Sequence, residues 1–235
     1  MRRYQNVIKV GVGVLTASMA VLPTLAFAAP ESEIGGASKV GESLAGLNSA
    51  EQPDSGSGEF ETAKGSRVED SERETERVVK VAVVTEKEIS VDTEAFAARV
   101  LETLNDERGW GADGSVSFEL VAADEAELTV RLATPGTVDE LCAPLDTGGY
   151  TSCRVDSDVV LNVDRWASAT DNFLEAGGTV DQYRVYLVNH EVGHFLGNGH
   201  LTVCEPDGRA PVMMQQTLDL EGCEPNGWPN PDQQG

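Results

Sequence analysis

Every histidine of the chain falls in one stretch, His190-Glu191-Val192-Gly193-His194-Phe195-Leu196-Gly197-Asn198-Gly199-His200. Residues four apart on an α-helix differ by about 40° in azimuth and about 6 Å in rise, so His190 and His194 face the same way and can chelate one metal ion. His200 cannot join them on a continuous helix, because six further residues swing it about 240° round the axis. The helix must therefore stop after His194 and the chain turn back, and Gly197 stands where a left-handed C-terminal turn would do this. Three neutral imidazoles leave the fourth position of a zinc ion open, as a catalytic site requires; a closed structural site would need one ligand more. Glu191, beside the first ligand, is placed to hold the zinc-bound water, whose pKa the ion lowers towards about 7, and to pass its proton to a departing amine. The expected chemistry is peptide hydrolysis. Three histidines placed at random, with the Glu and Gly also required, would take this pattern roughly once in a million.

The elements that must carry these groups are legible on either side. Thr179-Val180-Asp181-Gln182 fits a capping box, and the residues after it keep helical spacing through Leu196 without proline. Upstream, Val78 to Val84, Val116 to Val121, Leu128 to Leu132 and Ser157 to Val163 read as strands, and Asp92 to Leu104 as a helix capped by Asp92 or Thr93. The pattern is an α/β domain over residues 78–235, a mixed sheet with few helices. Cys142, Cys153, Cys204 and Cys223 form an even set that permits three pairings; Cys142 with Cys153 and Cys204 with Cys223 is favoured because each encloses a short polar loop. A thiolate zinc site is disfavoured by the absence of any Cys-x-x-Cys.

The zinc segment resembles the long motif of the metzincin metallopeptidases, HExxHxxGxxH, through His190, Glu191, His194, Gly197 and His200. Ala210-Pro211-Val212-Met213 looks like their Met-containing turn beneath the zinc, with Met213 as the turn residue and Met214 as a neighbouring candidate. A closer likeness, over roughly residues 78–235, is to an uncharacterised family of secreted actinobacterial metzincin-like domains, through Tyr183-Arg184-Val185-Tyr186, Asn189 to His194, Pro211 to Thr217, and Cys223 with Gly227-Trp228-Pro229. The resemblance implies a metzincin-like fold and a zinc-dependent peptidase with one catalytic ion. Leu201 and Gln215 depart from better-known subfamilies, the latter standing where some have a tyrosine that supports the oxyanion.

The chain has 235 residues with 17 Lys plus Arg against 40 Asp plus Glu, a net charge of -23. Such a field repels phosphate backbones and anionic lipid, which argues against nucleic-acid or membrane-surface binding, and favours neutral or basic substrates. Arg2, Arg3 and Lys9, the apolar run to Ala28 and the small-x-small Ala26-Phe27-Ala28 read as a cleaved signal peptide over 1–28, rather than an anchor, and hence a secreted protein. Residues 29–77 are Gly, Ser, Ala and Glu with Phe60 as the one aromatic, and read as a disordered acidic tether or a propeptide. Asp156, Asp158 and Asp164 are candidates for a structural calcium ion but fit no calcium-loop spacing. Trp166, Trp228, Tyr183 and Tyr186 read as core before cleft. The expected partner is a polypeptide or peptide substrate taken by a monomer. Two other classes share the zinc: a secreted binder of cell-wall or host polypeptides that does not cut, and an amidase acting on peptidoglycan stem peptides.

Overall fold

The computed structural model describes residues 45–64 and 75–230, all within one compact unit. The expected signal peptide and residues 29–44 and 65–74 of the expected tether lie outside the described residues.

The sheet is built round β2 (Arg77–Glu86), whose second half is buried on both faces. Its β-branched run suits a strand covered by layers on either side. Along one edge β2 pairs in parallel with β3 (Val116–Leu120) and, near its end, antiparallel with β1 (Phe60–Thr62). Along the other it pairs in parallel with β4 (Leu128–Ala133), and β4 with β6 (Asp158–Asn162). The short β5 (Cys153–Val155) closes the series antiparallel to β6, giving a mixed sheet of six strands.

Alternation along the strands separates two cores. Val79, Val81 and Val83 of β2, Val130 and Leu132 of β4, and Val159 and Leu161 of β6 face the larger one. It is covered by α1 (Thr93–Leu104) and by the long helix that carries the histidines. Asp92 caps α1, its carboxylate accepting from the Ala95 N–H at 3.0 Å, and Phe96, Val100 and Leu104 recur on its inner face. Ala133 and Val160, on the opposite face, join Val138 and Cys142 of α2 (Pro135–Cys142) in the smaller core. Two further short helices follow β6, α3 (Val163–Ser168) and α4 (Asp171–Glu175). Both favoured disulfides are present, Cys142–Cys153 and Cys204–Cys223.

One expectation needs correcting. Within the expected disordered tether, residues 45–64 are packed onto the domain. Leu47 and Ala63 are buried, β1 extends the sheet, and the carbonyl of Ala45 accepts the indole N–H of the fully buried Trp166 at 3.0 Å. The carboxylate of Glu86, 1% exposed, accepts from the Gly58 N–H at 2.9 Å, the Thr134 N–H at 2.8 Å and the Thr137 hydroxyl at 2.6 Å, tying the segment to the start of α2. A segment too poor in apolar residues to build its own core can still add backbone hydrogen bonds and a few anchors to a core built by others. The domain therefore begins well before residue 78.

Candidate metal centre

The histidines are carried by α5 (Val180–Phe195) and the loop after it. The capping box is present in both directions: the Thr179 hydroxyl accepts from the Gln182 N–H, and the Gln182 side chain from the Thr179 N–H. Every residue from Tyr183 to Gly193 is buried, so this helix runs through the core with its ligand-bearing end opening on a cavity. Even the buried Arg184 is satisfied, donating to the Trp166 carbonyl and the Asp181 carboxylate.

The helix stops where the spacing requires. Gly197 has φ +97°, its N–H donates to the His194 carbonyl, and the Asn198 N–H reaches back to the Gly193 carbonyl at 2.9 Å. These are the two bonds of a Schellman turn, which needs the left-handed residue that glycine supplies. The reversal brings His200 back over the helix. The three imidazoles have ring centroids 4.6 to 5.3 Å apart, and one nitrogen from each lies within 4.8 Å of the others. Among the described residues this is the one cluster of three or more side chains suited to hold a metal ion; Asp156, Asp158 and Asp164 do not converge, and Asp158 instead pairs with Arg131 at 2.9 Å.

The donor set fits a metal. The Nδ1 atoms of His190 and His194 lie 2.8 and 2.9 Å from the carbonyl oxygens of Val212 and Asn198. A carbonyl only accepts, so each Nδ1 carries the proton and each Nε2 presents a lone pair to the cluster. The His194 and His200 Nε2 atoms stand 3.0 Å apart, close enough to serve one ion.

Burial keeps all three rings in the neutral, ligating form: it pushes His190 down to about 3 and lowers His194 and His200 below the ordinary histidine range. The same burial pushes Glu191 up to about 8, against a smaller opposing pull from Arg154. A carboxyl so placed exchanges its proton near neutral pH, as a general base and acid must.

Beneath the ligands lies the 210–214 turn. A Cβ on Gly193 would collide with the Met213 Sδ and stand 2.7 Å from the Trp110 ring, so Met213, rather than Met214, is the methionine pressed against the helix between the two ligands. The Met213 carbonyl also accepts from the Leu201 N–H at 3.1 Å, binding the turn to the loop of the third histidine. Met214 is buried, with its carbonyl accepting the Tyr186 hydroxyl. The Cys204–Cys223 disulfide encloses this turn, a loop closure that contributes on the order of 3 kcal/mol.

The cluster opens on a cavity of about 520 Å³ with Glu191, Gln215 and Tyr186 on one side. Its facing wall is the segment from Leu145 to Arg154, the loop enclosed by Cys142–Cys153. Sequence reasoning missed this wall, Arg154 and the two carbonyl acceptors. The wall has no periodicity to read, and a backbone oxygen leaves no mark on residue type. None of residues 45–64 lines the cavity. Of the other candidates, Trp166, Tyr183 and Tyr186 are core, and Trp228 lies under the Arg108 guanidinium at 4.1 Å, in a separate cavity.

A family model described as a protein of unknown function (DUF3152) matches residues 47–231. No curated protein and no solved structure matches the chain.

Proposed function

We propose that this chain, which belongs to the DUF3152 family, is a secreted zinc-dependent peptidase with a metzincin-like active site. The observation that carries the reading is the convergence of three neutral imidazole nitrogens beside a buried carboxyl whose affinity for protons is raised, at the floor of an open cavity. Zinc bound by His190, His194 and His200 would supply a Lewis acid and make water a nucleophile near neutral pH. Glu191 takes the proton of the attacking water on its carboxylate and returns it to the amine that leaves. Burial raises the affinity of this carboxyl for the proton it takes, and a neighbouring zinc ion would lower that affinity again and favour release.

The β5 edge offers the substrate a place. Among the described residues it is the last strand on its side of the sheet, and Cys153 and Arg154 line the cavity, so an extended peptide could pair along its outer edge. Export is supported by the signal-like residues 1–28 and by two disulfides, which persist in oxidising compartments.

The test is cleavage of a diverse peptide library by the zinc-loaded chain lacking residues 1–28, read by mass spectrometry beside Glu191→Ala. Cuts that disappear in the variant and on chelation are expected. A chain that binds one zinc per molecule yet cuts nothing supports the non-cutting binder instead, and a chain that binds no zinc overturns the metal reading itself.

A further inference from the structure

The described part of the chain holds eight arginines. Six of them (77, 99, 108, 131, 184 and 209) stand within 4 Å of a carboxylate, and Arg165 lies over the Tyr150 ring at 4.5 Å. Arg154 is different. Among the described residues no carboxylate stands within 4 Å of its guanidinium and no ring lies beneath it, and its one side-chain hydrogen bond is a long one, 3.4 Å to the Asp156 carbonyl. In a chain of charge -23, an arginine without a carboxylate is unexpected, because acidic side chains are abundant everywhere.

Its position is set by the sheet. Arg154 is the register partner of Val159, and directly opposed residues of an antiparallel pair share a face. Val159 faces the larger core, with α5, while Cys153 faces the smaller one. Arg154 therefore projects from the sheet edge on the same side as the histidine helix, where it is the sole arginine or lysine lining the cavity. Its charge reaches the centre, acting on both Glu191 and His194. The disulfide at Cys153 and the β5–β6 pairing fix its backbone.

Resting on the peptidase reading, we infer that Arg154 is the specificity residue of this site and receives a substrate carboxylate, so that the preferred peptides carry an acidic group close to the bond that is cut. The guanidinium fork matches a carboxylate bidentately. The overall acidic field opposes the approach of such a peptide, and the Asp146 carboxylate also borders the cavity. Long-range repulsion slows encounter and is screened by salt, whereas a direct ion pair at the wall acts after contact and discriminates between bound peptides. The acidic group has two sources, an Asp or Glu side chain or the free C-terminus of the substrate.

The experiment is binding, measured by fluorescence anisotropy on the zinc-loaded full chain carrying Glu191→Ala, so that nothing is turned over. The probes are labelled, end-blocked hexapeptides in matched pairs with Glu or Gln at each position, and one pair with a free or an amidated C-terminus. At one position the acidic member is expected to bind about ten- to a hundred-fold more tightly, the range for a charge-assisted hydrogen-bonded pair. Adding Arg154→Gln should bring that ratio to about one, and Arg154→Lys should leave part of it. A preference at a side chain assigns the first source, and one at the free terminus the second.

Equal binding of both members of every pair, no binding by either, or a preference that survives Arg154→Gln overturns the inference. The two readings fail separately. A wild-type chain that cuts peptides without distinguishing the pairs keeps the peptidase and loses this role of Arg154. One that cuts nothing but binds acidic peptides through Arg154 does the reverse.

Discussion

Replacing Gly193 by Ala adds a methyl group in the middle of α5, between two of the candidate ligands. Propensity alone predicts a gain, since Ala is favoured over Gly in a helix interior by about 1 kcal/mol. The surroundings predict a loss. The new carbon would collide with the Met213 Sδ and lie 2.7 Å from the Trp110 ring, where ordinary contacts are about 3.5 to 4 Å. Met213 can swing aside, being flexible. Trp110 cannot, because its indole N–H is bound to the Asn189 carbonyl at 3.0 Å. Overpacking of this kind costs about 1–3 kcal/mol, so the helix gain is cancelled at the least and a net loss of up to about 2 kcal/mol is expected. The strain falls on the helix turn that spans His190 and His194, so zinc affinity should drop with stability. Urea unfolding in the presence of a chelator measures the first quantity and competition with a zinc indicator the second. A Gly193→Ala chain that is more stable by about 1 kcal/mol, with zinc affinity unchanged, refutes the packing argument. Met213→Ala in the same chain should restore part of the loss, since the two changes share one space.

Two further perturbations test other parts of the structure. Glu191 is raised to about 8 in the folded chain, so the folded state holds this proton more tightly than the unfolded one; the resulting stability is complete below about pH 4.5 and is lost as the pH rises towards 8. Metal-free Glu191→Gln protein should therefore exceed the wild type by a margin that grows over that range to on the order of 3 kcal/mol near pH 7, and denaturation in chelator at pH 5 and pH 7 that shows a constant difference would sink the claim. Beginning the chain at Val78 removes Leu47, which is 1% exposed and worth about 2–5 kcal/mol by burial, together with the donor that Gly58 offers to Glu86. Such a fragment should unfold at clearly lower urea than a chain begun at residue 45; equal midpoints would return residues 45–64 to the status of a tether.

What could be read from the sequence divides by range. The histidine segment was legible because its geometry is local: helical periodicity aligns His190 with His194, and a glycine at 197 both permits and locates the reversal that recruits His200. The capping box at Thr179 and the Asp92 cap are likewise settled within four residues. Strand β2 announced itself by a long valine-rich run, β4 and β6 by shorter runs of apolar residues, and the disulfides by the short loops they close. β1 and β5, at three residues each, are too short to show an alternation, and α2 opens on Pro135-Gly136, a pair that reads as a turn. Arg154 had no signal of its own, because its meaning comes from the register of β5 on β6 and from a helix some thirty residues later. The packing of residues 45–64 was hidden for a related reason: composition reports whether a segment can fold alone, and this one never has to.

The orientation of the ligands has a corollary for sequence comparison. His190 and His194 are held in their tautomer by the carbonyl oxygens of Val212 and Asn198, which every amino acid possesses. The tautomer of each ring is thus indifferent to the side chain at 198 or 212, and those side chains answer to other contacts: Val212 is buried in the core and the Asn198 amide donates to the Gly193 carbonyl at 3.1 Å. The tautomers depend instead on the path of the main chain, through the reversal at Gly197 and the disulfide-closed turn, which a comparison of side-chain identities alone would overlook.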